Sequence, residues 1–148
     1  MSKNKHNEKA GSLIKRTDER IAETQEVFTP MELVTQMVDS IPQHTIECAD
    51  STFLDNSAGC GNFLIALKAR LVKYHTEEWV LNNMLYAIEF MEDNHKELCD
   101  NLGVPYDHPH YICGDGLDNR IYTRWDNEKN SNKQDNEPLG CVDGQLVW

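Results

Sequence analysis

Three acidic residues, Asp55, Glu89 and Asp115, each follow a short apolar stretch of the sequence. The first opens the segment DNSAGCG, in which two glycines stand one residue apart just before a helix-like pattern. A glycine-rich turn after a strand lets the backbone come close to a ligand, and the next helix presents N–H groups there. Carboxylates at neighbouring strand ends can accept hydrogen bonds from ribose hydroxyls and from an exocyclic amino group. These residues together favour a nucleoside-containing cofactor, whereas the glycine turn alone would also suit a tight turn that binds nothing.

The elements that must position these acids follow from apolar periodicity and turn residues. We predict three strands, at residues 51–55, 84–90 and 110–115. Two helices are predicted between them, at residues 62–74 and 91–103. Gly103 is expected to close the second helix. The first helix is expected to bury Phe63, Ala66, Leu67 and residues 69–71. Because helices and strands alternate, the predicted fold class is α/β, with a parallel sheet and right-handed crossovers.

The flanking segments are predicted from composition and punctuating residues. A helix over residues 30–41 is expected to carry Pro30 in its first turn and Thr29 as its N-cap. The chain is predicted to consist of a flexible basic arm (1–16) and a single partial domain (17–148). Within this domain we expect a short helix (17–25), a long exposed polar loop (124–138) and a strand or small hairpin (139–148).

The net charge of this 148-residue chain is −11, and it is unevenly distributed. Residues 1–20 hold six basic and three acidic residues, for +3, while the remainder holds eight basic and 22 acidic residues, for −14. An acidic body repels a phosphate backbone, so contact with DNA is expected to be weak or indirect. The basic arm is open to two interpretations, a DNA contact or a solubilising tail.

The cysteines and histidines give no sign of a metal site. Five cysteines are scattered without CxxC spacing, which favours reduced thiols over a disulfide framework or a zinc site. His108 and His110 are interpreted as loop or strand residues. No apolar run approaches the roughly 18–20 residues that cross a bilayer, and the N-terminus lacks the apolar stretch of a secretory signal. A cytoplasmic protein with no metal and no membrane partner is therefore predicted.

Four motifs in order, EVFTPMELVTQMVD, DNSAGCGNFL, YAIEF and ICGD, give the chain a family resemblance over residues 26–116. It resembles the S-adenosylmethionine-dependent adenine-N6 DNA methyltransferases of restriction-modification systems. The resemblance implies a Rossmann-like methyltransferase fold with a shortened parallel sheet. It also implies a set of residues that bind S-adenosyl-L-methionine: Phe28, Thr29, Pro30, Asp55, Ser57, Gly59, Gly61, Glu89, Phe90 and Asp115.

The resemblance assigns these residues different parts of the cofactor. The upstream element at residues 28–30 would lie against the methionine end, and the glycine turn would cradle the methionine and the sulfonium. Glu89 would hold the ribose, Phe90 would pack on the adenine, and Asp115 would meet the adenine amino group. Asn56 replaces the proline usual in the first motif, which removes stiffness from the turn but no ligand.

The catalytic motif of that family, Asn or Asp followed by Pro-Pro and an aromatic residue, does not occur in the sequence. The nearest match, NEPL at residues 136–139, lacks the second proline and the aromatic residue. Three hypotheses follow: a cofactor-binding protein inactive without a complementing chain, a transferase whose acceptor site is NEPL or the C-terminal strand, and a non-enzymatic acidic interaction or inhibitor protein with an inherited cofactor site. The first is preferred, and the catalytic residues stay unassigned.

Overall fold

The structure is a computed structural model that describes Thr17, residues 19–20, residues 29–132 and residues 145–147. The described helices are α1 (Met31–Asp39), α2 (Gln43–Glu47), α3 (Asn62–Leu71), α4 (Glu77–Trp79), α5 (Glu92–Leu102) and α6 (Asn119–Asn132), and a π-helical turn (Val80–Met84) follows α4. The strands are β1 (Thr52–Asp55), β2 (Leu85–Glu89), β3 (Tyr111–Cys113) and β4 (Gln145–Val147).

The four strands form one parallel sheet in the order β3-β2-β1-β4. Phe53 of β1 lies opposite Leu85 on one side and opposite Leu146 on the other. The chain thus builds outward from β1 to β3 and then returns to the opposite side of β1. This reversal is the start of the Rossmann strand order, so the predicted Rossmann-like α/β fold with a short parallel sheet is confirmed.

The larger core fills one face of the sheet. Phe53, Leu85 and Tyr111 point from three neighbouring strands into a cluster that also contains Leu67 of α3 and Leu98 of α5. All five side chains are almost completely removed from water. Burying such side chains contributes about 1.5–3 kcal/mol each, which fixes α3 and α5 against the strands whose ends they follow.

The opposite face carries a smaller core under α6. Tyr86 and Ile88 alternate along β2 with the residues of the first face, and they pack against Ile121 and Trp125 of α6. The Tyr86 and Trp125 rings meet edge to face, with their centroids 5.1 Å apart. Helices therefore cover both faces of the sheet, and β1 and β2 are held between them.

Of the loop predicted at residues 124–138, residues 124–132 are helical instead, because α6 continues through Asn132. The prediction was wrong because the apolar residues of this helix, Ile121, Tyr122 and Trp125, all lie in its first half. The other residues are polar and hide the periodicity, while packing against β2 supplies the stability that composition does not indicate. Residues 133–138 lie outside the described part of the chain.

Smaller differences concern the ends of helices. Pro30, with φ −57° and ψ 140°, is the N-cap of α1 in place of Thr29. Helix α3 ends at Leu71, and Ala69 is exposed although it was expected inside. Leu64 is buried instead, because Leu64 and Leu71 share the face of the helix that turns toward the sheet and Ala69 does not.

The segments at both ends are described only in part. Residues 19–20 are helical, and the rest of the helix predicted at residues 17–25, like the basic arm at residues 1–16, lies outside the described residues except for Thr17. The guanidinium of Arg20 pairs with the carboxylate of Asp93 in the first turn of α5. Of the strand or hairpin predicted at residues 139–148, the described portion is β4, a single strand parallel to β1.

The cysteines depart from expectation at one position. Cys60, Cys99 and Cys113 are present as thiols, in line with the prediction of reduced thiols. Cys48 is disulfide-bonded, so that prediction is wrong for this residue. The prediction rested on spacing along the sequence, which does not determine which Cβ atoms the fold brings within bonding distance. Cys141 lies outside the described residues.

Candidate functional site

The predicted acids lie together at the carboxyl ends of β1, β2 and β3, which we call the carboxyl edge of the sheet. Asp55 ends β1 and Glu89 ends β2, while Asp115 lies two residues beyond the end of β3. The turns after these strands are also hydrogen-bonded to the end of β2: the Ala58 amide donates to the Ile88 carbonyl over 3.1 Å, and the Gly114 amide to the Glu89 carbonyl over 2.9 Å. The end of β2 is therefore the centre of this edge.

Glu89 has the most completely satisfied side chain of the three acids. The residue is only 7% exposed, and its carboxylate accepts three protein hydrogen bonds. Oε2 accepts from the Gly59 amide at 2.6 Å, and Oε1 accepts from the Met91 amide at 3.0 Å and from Asn94 Nδ2 at 3.3 Å. Such donors offset the hydration that a carboxylate loses on burial. Glu89 thereby joins the glycine turn to the start of α5.

Both glycines of the turn adopt left-handed backbone conformations, with φ 58° at Gly59 and φ 91° at Gly61. A side chain at Gly61 would overlap Leu98 Cδ1 of α5. Gly61 is thus required for the close approach of α5. The sequence could not indicate this role, because Leu98 belongs to a different helix.

Asp55 has an unusual titration for an aspartate. Burial raises the pKa of its carboxyl group to about 6; the negative charge of Glu89 raises this pKa further, and the hydrogen bond from the Ser57 amide opposes the rise. That amide lies 3.1 Å from Asp55 Oδ1. A cation close to this carboxyl group would lower its pKa again, so the pair of acids favours a positively charged ligand.

The turn after β3 is held close to the turn after β1. Asp115 is exposed, and its Oδ1 accepts from the Leu117 amide at 2.9 Å. A Cβ atom at the next residue, Gly116, would lie 2.6 Å from the backbone oxygen of Asn56. Because β2 lies between β1 and β3 in the sheet, the turns after β1 and β3 meet across the end of β2.

Two large apolar side chains are exposed beside these acids. Phe90 follows Glu89 and is 70% exposed, and Leu117 follows the turn at Asp115 and is 87% exposed. Apolar side chains as exposed as these, next to acceptors, suit a planar ring that carries an amino group. Sequence reasoning identified Phe90 but missed Leu117. The signal for Leu117 was an apolar residue in a turn that otherwise consists of glycine and aspartate.

The upstream element of the predicted site is described incompletely. Phe28 lies outside the described residues. Thr29 and Pro30 are exposed at the start of α1, where the Pro30 carbonyl accepts from the Val34 amide. In the part of the chain that the structure describes, neither residue hydrogen-bonds to the turns at the carboxyl edge. Asp55, Ser57, Gly59, Gly61, Glu89, Phe90 and Asp115 are brought together, while the role of residues 28–30 stays a prediction.

Asn94 is a residue of the site that sequence reasoning did not find. It is completely buried in α5, five residues after Glu89, and its amide contacts the Glu89 carboxylate. No periodicity indicates this contact, because it depends on how α5 leaves the end of β2.

Other features of the described residues do not join this site. A groove of about 790 Å³ lies along the polar face of α6, where Arg120, Arg124 and Glu128 are among its lining residues, and none of the three acids lies in it. His108 and His110 have protein partners, Asn82 Oδ1 and the Leu85 carbonyl. Within the described ranges no group of three or more His, Cys, Asp or Glu residues is placed to hold a metal ion, and no helix has the length and apolarity to span a membrane.

The strand order and the acidic edge define a Rossmann-like α/β protein whose candidate site lies where this class of fold binds nucleotides. No protein-family model and no curated protein matches the chain. Among solved structures it is similar to a modification subunit assigned to a type I restriction enzyme from Vibrio vulnificus YJ016, with a TM-score of 0.44 and 18% sequence identity. The match covers 67% of this chain and 20% of that chain, so this chain spans about a fifth of that structure's length. A likeness of this extent decides neither a family nor a function.

Proposed function

We propose that this chain binds S-adenosyl-L-methionine at the carboxyl edge of its sheet, as a cytoplasmic, methyltransferase-like protein of the restriction-modification type. The observation that supports this most is the hydrogen bond between Gly59 and Glu89. It joins the glycine turn after β1 and the acid at the end of β2 into one site, at the edge where a Rossmann-like sheet binds nucleotides.

The residues present fit the chemical groups of this cofactor. Glu89 would accept hydrogen bonds from the ribose hydroxyls, since Oε2 accepts from a single amide among the described residues and retains acceptor capacity. Phe90 would cover a face of the adenine, and the exposed carboxylate of Asp115 would accept from its amino group. Asp55 and Glu89 favour the positive charge of the sulfonium and the ammonium groups.

Binding of the cofactor requires the turns after β1 and β3 to move apart. Glu89 is 7% exposed, and the contact between Gly116 and Asn56 lies across the end of β2. A ligand that reaches the Glu89 carboxylate must therefore separate the turns after β1 and β3. Turns of this kind are among the less stable parts of a fold, so a tightly bound ligand can supply the free energy for their separation.

We further propose that the chain does not methylate DNA by itself. Transfer to an adenine amino group requires an acceptor pair and a stacking ring beside the sulfonium, and the sequence lacks the Asn-Pro-Pro-aromatic motif that provides them. Asn136–Leu139, the nearest match, lies outside the described residues. A complementing protein chain would supply the acceptor side, and contact of this acidic chain with DNA would be indirect or weak.

The alternative function is that of a non-enzymatic acidic interaction or inhibitor protein that has inherited the site. One observation favours it: the Glu89 carboxylate is covered, and three protein donors already satisfy it. The net charge of −11 would then serve to imitate nucleic acid. A measurement of cofactor binding distinguishes the two functions, because an inherited site need not bind the cofactor.

The decisive experiment is titration calorimetry of the whole chain with S-adenosylhomocysteine. We expect measurable binding, and Glu89→Gln should weaken it by about 1–3 kcal/mol, the usual contribution of a hydrogen bond to a charged group. Glu92→Gln is the matched control, because Glu92 pairs with Lys96 on the exposed side of α5. Its affinity should equal that of the unmodified chain. Absence of both heat and thermal shift at millimolar ligand would favour the acidic interaction protein.

Catalysis is tested with tritiated S-adenosylmethionine and mixed-sequence double- and single-stranded DNA. The purified chain is expected to transfer no label, and addition of lysate from the source organism should restore transfer if a complementing chain exists. Label transferred by the purified chain alone would refute the proposed inactivity and would support an acceptor site within this chain.

A further inference from the structure

Asn94 is a polar residue in a fully buried position of α5, and its Nδ2 atom donates a hydrogen bond to the Glu89 carboxylate over 3.3 Å. We infer that Asn94 is a positioning residue for Glu89, one that directs the Oε2 atom of this carboxylate toward the ribose hydroxyls of a nucleoside cofactor. This inference rests on the proposed function, and it assigns to Asn94 the preference of the site for a ligand that carries a ribose.

The distribution of donors around the carboxylate carries this inference. Oε1 accepts from both Asn94 Nδ2 and the Met91 amide, whereas Oε2 accepts from the Gly59 amide. A carboxylate oxygen offers about two acceptor positions. Oε1 is therefore filled from the side of α5, and the capacity that remains for a ligand hydroxyl is on Oε2.

Asn94 is also the donor whose loss would release the carboxylate. The donors from Gly59 and Met91 are backbone amides, which any residue except proline supplies. Among the described donors to Glu89, Asn94 is therefore the one that donates through its side chain. Without it, one position on Oε1 becomes available and the terminal torsion of the Glu89 side chain, which has a broad energy minimum, is less restricted. The ligand hydroxyls would then meet an acceptor whose direction is no longer fixed.

The experiment compares S-adenosylhomocysteine with its 2′,3′-dideoxy analogue by calorimetry on the whole chain. The unmodified protein should prefer the ribose ligand by about 10- to 100-fold, in keeping with hydrogen bonds to a charged group. Asn94→Leu, which has a similar volume and no donor, should reduce this preference to less than about threefold while the affinity for the dideoxy ligand stays within about twofold. The ratio of the affinities for the two ligands is measured within each variant. A reduced folded fraction lowers both affinities by the same factor and therefore leaves this ratio unchanged.

Asn101→Leu is the matched comparison on the same helix. Its amide Nδ2 donates to the Cys60 carbonyl, in the glycine turn, at 3.0 Å. A variant that only disturbs the turn should lower both affinities and keep the ribose preference. If Asn94→Leu does not fold, Asn94→Ala also removes the donor without adding bulk, and it should lose the preference in the same way.

The outcomes separate this inference from the proposed function. Loss of ribose preference in the Asn94 variants, but not in Asn101→Leu, would support the positioning role. A ribose preference in Asn94→Leu equal to that of the unmodified protein would overturn the inference and leave cofactor binding intact. If the unmodified chain bound neither ligand, the proposed function would fall and this inference with it.

Discussion

Replacement of Gly61 by alanine should destabilise the fold through two separable effects. Gly61 has φ 91°, a left-handed conformation that costs a residue with a Cβ atom about 1–2 kcal/mol. The new Cβ atom would also overlap Leu98 Cδ1. Leu98 is completely buried and cannot move toward solvent, so the overlap should add about 1–3 kcal/mol, the usual cost of overpacking a core. Gly61→Ala should therefore cost about 2–5 kcal/mol in total.

Gly103 provides a control with only the first effect. It ends α5 with φ 73°, and a Cβ atom there would meet nothing within 4 Å. Gly103→Ala should cost about 1–2 kcal/mol through backbone strain alone. The change in unfolded-chain entropy on replacing glycine by alanine is common to both variants, so the difference between them measures the contact with Leu98.

The assay is urea unfolding followed by tryptophan fluorescence, with the free energy of unfolding obtained by linear extrapolation. Gly61→Ala should lose about 1–3 kcal/mol more than Gly103→Ala. When Gly61→Ala is combined with Leu98→Ala, the total loss should be smaller than the sum of the two single losses, because the second change removes the overlap. Equal losses for Gly61→Ala and Gly103→Ala would refute the packing role of Gly61.

Two further predictions concern the acidic edge. The Asp55 carboxyl group has a pKa of about 6 in the fold, against an ordinary value of 3.8. Between these two values the folded state binds a proton that the unfolded state does not. The stability that this proton provides is therefore lost as the pH rises from about 4 to about 6. Relative to Asp55→Asn, the unmodified chain should lose up to about 3 kcal/mol across that window, measured by urea unfolding at each pH; an unchanged difference would exclude the raised pKa. Gly116→Ala should lower the melting temperature, because its Cβ atom would lie 2.6 Å from the backbone oxygen of Asn56; a melting temperature equal to that of the unmodified chain would mean that the two turns do not touch.

The sequence predicted those parts of the fold and site that depend on local signals. Short apolar runs that end in acids correctly predicted β1 to β3, and their carboxyl ends meet at one edge because the strands are parallel. Gly103 correctly predicted the end of α5, since a left-handed residue after a helix is most often glycine. These inferences need only neighbouring residues and the geometry of a parallel sheet.

The remaining features depend on contacts between residues distant in sequence. Helix α6 was mistaken for a loop because its apolar stripe is narrow and becomes meaningful only against Tyr86 and Ile88. The donors around Glu89 were also unpredictable, since Gly59 and Asn94 reach the carboxylate from different elements. A pattern in the sequence identifies an acid at a strand end, but it does not determine whether that acid is open to solvent or covered by a neighbouring turn.

The position of β1 inside the sheet has a consequence for the order of folding. Its partner on one side, β2, is the next strand in sequence, whereas its partner on the other side is β4, formed by residues 145–147. During synthesis the β1–β2 pair can form while the residues of β4 have not yet been made, and in that interval one edge of β1 has no strand beside it. Pairing between segments so far apart is slow because a long loop must close first, and an unpaired edge of a hydrophobic strand is a site for association with other chains. Nascent chains of this protein should therefore need protection until β4 has joined the sheet.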